Sequence, residues 1–187
     1  DSPLSTRATA VYEEHEECYD AEALRIVLEG DEPFTFRGLT YSADVEDSKA
    51  LNFAEGPLII ISASGMCEGG RILHHLAHAI ENGRNAMLFV GYQAENTLGR
   101  RIVEHRRPIR IFGDEYRLRA KVHSINGLSA HADRNELLDY FAKIGPKFRR
   151  SYIVHGEMDQ AEPLSEALRQ LGSREVLIPE RGQTVEL

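Results

Sequence analysis

The sequence predicts an α/β fold, a mostly parallel sheet flanked by helices, and three observations carry it. Two short runs, residues 57–61 and 86–90, are apolar throughout, as strands covered on both faces are. Each run leads through a polar or Gly-bearing loop into a stretch with helical spacing, which is the strand–loop–helix rhythm of parallel sheets. After Gly127 the rhythm repeats on a smaller scale. The composition agrees, with 42% hydrophobic and 28% charged residues, ordinary values for a globular chain.

The elements follow in order. Ser2 or Asp1 can cap a first helix, expected over residues 6–19 with Glu13, Glu14, Glu16 and Glu17 facing water. A second helix is expected over 21–29, stopped by Gly30. Residues 34–39 are short and aromatic, and 44–53 read as a helix capped by Ser42 or Asp44. Then come the strand at 57–61, a Gly-rich turn at 62–70 and a helix over 71–81. The second buried strand, 86–90, exits through Gly91, Tyr92 and Gln93 to a helix over 97–104. Strands are expected at 107–112 and 116–125. The smaller repeat has helices at 134–144 and 160–171, the latter closed by Gly172, and strands at 151–154, 175–178 and 184–187. A break near Gly113 and Asp114 is the expected domain boundary, giving domains 1–115 and 116–187.

Several function classes are excluded or disfavoured. The net charge of -8 argues against broad nonspecific binding of nucleic acid but leaves room for a local basic groove. Cys18 and Cys67 are the only cysteines, too few for a disulfide framework, so a reducing, cytoplasmic setting is expected. No apolar run reaches the ~20 residues of a membrane span, and no membrane partner is expected. The first residue is Asp1 rather than Met, so a processed product or a piece of a longer chain is expected.

Ligands of open α/β sheets gather beyond the carboxyl ends of the strands. The loop containing Ser62, Ser64, Gly65, Gly69 and Gly70 runs into a helix. Its amides can face an anion, and Arg71 can add charge. A tight turn whose glycines serve geometry alone stays open beside phosphate contact. The ending Gly-Lys-Ser/Thr of a P-loop is missing. His74 and His78 stand four apart, a metal spacing, but with no Glu between them and no third ligand they read as structural or surface histidines. His131 lies between a strand and a helix in Ser129-Ala130-His131-Ala132-Asp133, where Asp133 can cap the helix and the imidazole is placed for acid–base work. His155 leaves a strand directly, in Val154-His155-Gly156-Glu157. A zinc site needs three protein ligands or so. There is no HxHxDH cluster, and His15, His105 and His123 are scattered. Arg100, Arg101, Arg106, Arg107 and Arg110 form a basic stretch, read either as phosphate contacts or as a solvated helix end and edge strand.

Four of these motifs stand in a recognisable order: 59–71 (IIISASGMCEGGR), 91–100 (GYQAENTLGR), Ser129 to Asp133, and Val154 to Glu157. Together they resemble the β-CASP branch of the metallo-β-lactamase superfamily, the RNA-processing nucleases related to the cleavage and polyadenylation specificity factor nuclease. Asp1-Ser2-Pro3-Leu4 resembles the start of the inserted β-CASP domain, so the likeness covers nearly the whole chain.

The resemblance implies a β-CASP domain at 1–115 and, at 116–187, the C-terminal part of a metallo-β-lactamase αββα fold. It implies a parent in which two zinc ions hold the hydroxide that hydrolyses an RNA phosphodiester bond. His131 matches the histidine that stabilises or protonates the leaving oxygen, and His155 matches a zinc ligand. Ser129, Asp133 and Glu157 would support them. Ser62, Ser64, Gly65, Gly69, Gly70, Arg71 and Arg100 would meet substrate phosphates. The remaining zinc ligands of the family would precede Asp1, so the chain alone is expected to hold no complete zinc site and to be inactive. RNA is the expected partner, with a second copy of the chain as another. The 116–187 segment is expected to be mobile or to dock on such a copy. Two other readings are a non-catalytic RNA-binding module and a scaffold subunit of an RNA-processing complex.

Overall fold

The computed structural model describes residues 1–129, 131–144 and 148–185. The chain forms two compact units, Asp1–Ser129 and Ala130–Leu187. The α/β class is present in both, as small two-stranded sheets with helices.

In the first unit, α1 spans Pro3–Glu14, with Ser2 as its cap and Pro3 in its first turn, where a missing N–H costs nothing. The helix is shorter than expected. Glu13 and Glu14, with Glu16 and Glu17 beyond, crowd its negative end, which the helix dipole disfavours, and the chain tightens into a 3-10 turn at Glu16–Cys18. Helix α2 (Ala21–Leu28) is capped by Asp20 and stops before Gly30 at φ 88°. Helix α3 (Val45–Leu51) is capped by Asp44. Neither α1 nor α2 contains a buried residue.

The core of this unit lies between α4 (Ile72–Ala79), α5 (Leu98–Val103) and the strands. Strand β1 (Ala86–Val90) pairs in parallel with β4 (Lys121–Ile125), Leu88 opposite His123 and Val90 opposite Ile125. Ile80, Ile102, Ile109 and Ile111 are sealed in the core, with Met87 and Phe89 from β1. The expectation that β1 is covered on both faces is corrected, because only Met87 and Phe89 are buried while Leu88 and Val90 are each 55% exposed.

The expected buried strand at 57–61 is also corrected. No strand is formed there among the described residues, and Leu58, Ile59 and Ile61 are 50%, 88% and 75% exposed. The run has strand-forming residues, but a strand exists only with a ladder partner.

The single strand expected at 116–125 forms only over Lys121–Ile125, as β4, while Tyr116 ends a separate strand. Strand β2 (Ile109–Ile111) turns through Phe112 and Gly113 into antiparallel β3 (Asp114–Tyr116). Phe112 and Gly113 have φ of 54° and 94°, the left-handed pair that a two-residue hairpin turn uses. The expected 115/116 division thus falls inside β3, while the compact units divide after Ser129.

The second unit packs α6 (Arg134–Ile144) and α7 (Met158–Gln170) with β5 (Ser151–Tyr152), which pairs in parallel with β6 (Val176–Leu177). Its core is Phe141, Leu168 and Val176, flanked by Leu138, Ile153 and Leu164. Gly172, at φ 100°, ends α7 as expected. No strand forms at Thr184 or Val185, and the rest of that expected strand lies outside the described residues.

Candidate functional site

The 62–70 loop closes largely on itself. Ser64 N donates to Gly69 O, Cys67 N to Ser64 O, and Ile72 N to Ala63 O. The Ser64 hydroxyl accepts from Glu68 N at 3.2 Å and donates to Gly69 O at 3.2 Å. Gly70, at φ 81°, brings its backbone so close to Ala63 that a Cβ there would lie 2.4 Å from the carbonyl oxygen. Here the glycine is required by geometry.

A second loop locks onto the first. Gln93 Nε2 donates to Gly65 O at 3.0 Å and to Tyr92 O at 3.1 Å. Gly99 N donates to Met66 O at 3.0 Å. The Glu68 carboxylate accepts from Leu98 N at 2.6 Å, and Thr97 accepts from Arg100 N at 3.2 Å, so both side chains cap α5. Any side chain at position 99 would collide with Gln93, whose Oε1 lies 1.8 Å from a built Cβ.

Two of the cations expected at phosphates are held by the protein itself. Arg71 Nη1 donates to Asp1 Oδ1 at 2.5 Å. Arg100 donates through Nε to Glu104 at 2.6 Å and through Nη1 to Gln93 O at 3.1 Å. Arg101 donates to Pro108 O, and Arg106 pairs with Glu104. Arg107 and Arg110 are exposed.

Sequence reasoning overlooked the most buried charged group of this site. The Asp1 side chain is 1% exposed. Its Oδ2 accepts from the Ser48 hydroxyl at 2.6 Å and lies 2.7 Å from His75 Nε2. The other ring nitrogen of His75 faces the Asn52 amide at 2.7 Å. Burial holds this imidazole below the usual histidine range, and the neighbouring His74, His78 and Arg71 add to the effect. The Asn52 amide atom that faces the ring is Oδ1, which can only accept. The available signal was the i, i+4 spacing of Arg71, the residue before α4, and His75 within it. His78 Nδ1 bonds only back to His74 O, at 2.9 Å.

In the second unit, Asp133 caps α6 as expected. Its Oδ1 accepts from Asn135 N at 2.8 Å and from Glu136 N at 2.9 Å, while Asp133 N donates back to Glu136 at 2.9 Å. This reciprocal pair is a capping box with Asp in the leading position. It sets the exposed His131 two residues before a fixed helix start. His155 is exposed, at φ 64°, between the end of β5 and α7. Glu157 starts α7, its carbonyl accepting from Ala161 N at 2.8 Å. Ser129 is exposed at the end of the first unit. Among the described residues no three His, Cys, Asp or Glu side chains gather to hold a metal ion, and a zinc ion has no complete donor set within them. No helix is long and apolar enough to cross a membrane, again among the described residues.

Comparison with known proteins gives two family matches in sequence order. The Beta-Casp domain matches residues 1–102. The Zn-dependent metallo-hydrolase RNA specificity domain matches residues 115–179. Ribonuclease TTHA0252 of Thermus thermophilus is 40% identical over 185 residues, 99% of this chain and 42% of its own length. Transcription termination factor FttA of Pyrococcus abyssi is 34% identical over 187 residues, 96% of this chain and 29% of its own. The same factor of Thermococcus kodakarensis is 36% identical over 171 residues, 86% of this chain and 26% of its own. The chain thus spans less than half the length of each.

Proposed function

The chain belongs to the β-CASP family, and on that premise we propose that it is part of a zinc-dependent ribonuclease that hydrolyses RNA phosphodiester bonds. One observation carries the reading: a relative named as a ribonuclease matches 99% of the chain at 40% identity. The second family match, whose description names both zinc-dependent hydrolysis and RNA specificity, supports it and supports taking 116–187 as the part that belongs to the zinc-binding domain. The setting is cytoplasmic, where an RNA substrate is at hand.

The roles proposed for single residues follow from the family resemblance of their motifs, and the exposed loop positions of His131 and His155 leave room for theirs. His131, presented by the Asp133 cap, donates a proton to the leaving oxygen. His155 supplies one nitrogen to zinc, which when bound provides an activated water. Ser129 and Glu157 support these histidines. The 62–70 loop meets substrate phosphates through the Gly65, Gly69 and Gly70 backbone, the Ser62 and Ser64 hydroxyls donating within the protein instead. Arg100 lends positive charge from the adjoining helix.

The test is cleavage of an unstructured RNA by the full-length protein with zinc and with a chelator. Zinc-dependent cleavage, lost in His131→Ala and His155→Ala, is expected. Cleavage that survives both substitutions overturns the residue roles. The 187-residue chain with zinc is expected not to cleave, and metal-dependent cleavage by it refutes the incompleteness of its zinc site. A second reading has the relatives named as termination factors in its favour: the protein acts on transcript-bearing complexes. Salt-sensitive RNA binding without cleavage by the full-length protein would favour that reading.

A further inference from the structure

Both ends of the 62–71 segment are tied to one residue. At the start, the Ser62 hydroxyl donates to Asp1 O at 2.8 Å. At the finish, Arg71 donates to the Asp1 carboxylate and, at 3.4 Å, to Ser42 O. Ser48 of α3 and His75 of α4 complete the ring around that carboxylate. The Arg71 side chain is 17% exposed and that of His75 5%. Arg71 Nη1 could meet a phosphate only by giving up the buried Asp1 carboxylate, and that carboxylate would then lose its cationic partner.

We propose that Asp1, Arg71 and His75 form a positioning triad for the 62–70 loop, in which Arg71 acts on RNA through Asp1 and the loop's shape, without pairing with a phosphate. This deepens the reading above and rests on it for the RNA contact. The triad itself rests on the hydrogen bonds alone. Asp1 holds the guanidinium on one carboxylate oxygen and the imidazole on the other, while its carbonyl holds Ser62, so one residue ties α4 to the loop's entry.

The experiment uses the full-length protein and Asp1→Asn, Arg71→Gln and the double variant. A fluorescent unstructured oligoribonucleotide is titrated over a range of salt. Each single variant is expected to weaken binding about tenfold, the double variant no further, with the salt slope unchanged. In cleavage assays KM rises by a similar factor while kcat holds. A direct phosphate contact predicts something else: Arg71→Gln lowers the salt slope by about one and Asp1→Asn leaves binding intact or tighter. That result overturns the proposal. Hydrogen exchange on the same proteins decides the triad independently of RNA. Faster exchange confined to residues 62–72 supports it, and acceleration throughout the first unit overturns it in favour of a general stabilising role. Should the wild-type protein bind no RNA, the functional reading fails while the exchange pattern still decides the triad.

Discussion

Burial pushes the Cys67 thiol up to about 11, and the neighbouring Glu68 adds to the shift. Cys18 is exposed. At pH 8 roughly one Cys67 in a thousand is thiolate, so alkylation of the folded chain is expected to label Cys18 alone, with Cys67 reacting only after denaturation. His75 gives a pH dependence with a definite sign. Its folded-state value lies below that of the unfolded chain, so between the two values the unfolded chain binds more protons and stability rises with pH. The contribution is complete above about 6.5 and is lost as pH falls below that. Urea midpoints at several pH values should show a shallower acid loss in His75→Gln than in the wild type. Gly70→Ala adds a side chain at a positive φ against Ala63 O, and a loss of about 1–3 kcal/mol is expected in the same assay. Sequence spacing singled out Gly70 for close approach. It did not reveal that the close neighbour is Ala63 instead of a ligand.

Helix starts were the most legible elements, because their signals are local. Ser2, Asp20, Asp44, Thr97 and Asp133 each accept a first-turn amide. Asp133→Ala removes the α6 cap and its reciprocal Glu136 bond, at an expected cost of about 1 kcal/mol, measurable as a shift in the urea midpoint. Asp133→Asn should recover most of it. Strands were less legible because their partners are remote in sequence. Residues 57–61 and 86–90 carry equally apolar runs, yet only the second has a ladder, with β4 at 121–125. The hairpin at Phe112 and Gly113 was hidden for a related reason. A Gly-Asp pair reads as punctuation, and only the pairing of Ile111 with Asp114 makes it a turn within one sheet.

Within the first unit, the β1–β4 pair leaves one face bare, with Leu88, Val90 and Ile125 on it. Parallel strands are normally covered on both faces, so this face is apolar surface in contact with water. Leu88→Ser combined with Val90→Ser is therefore expected to change the stability of the 187-residue chain by no more than about 0.5 kcal/mol per site and to reduce its binding of a hydrophobic dye. If the longer protein covers this face, the same pair should cost it about 3 kcal/mol or more. Thermal unfolding of both proteins makes the comparison.

The sequence by itself determined the α/β class, the order of helices, the capped start of α6, and the family, because these depend on neighbours a few residues apart or on motifs in a fixed order. Tertiary structure alone decided which apolar run became a strand and where the side chains of Asp1, Arg71 and His75 went. Asp1 and His75 are 74 residues apart, and no local pattern reports that a carboxylate at one end of the chain will be buried between a guanidinium and an imidazole. A buried charge must find its partners through space, and only the folded chain brings them within hydrogen-bond reach.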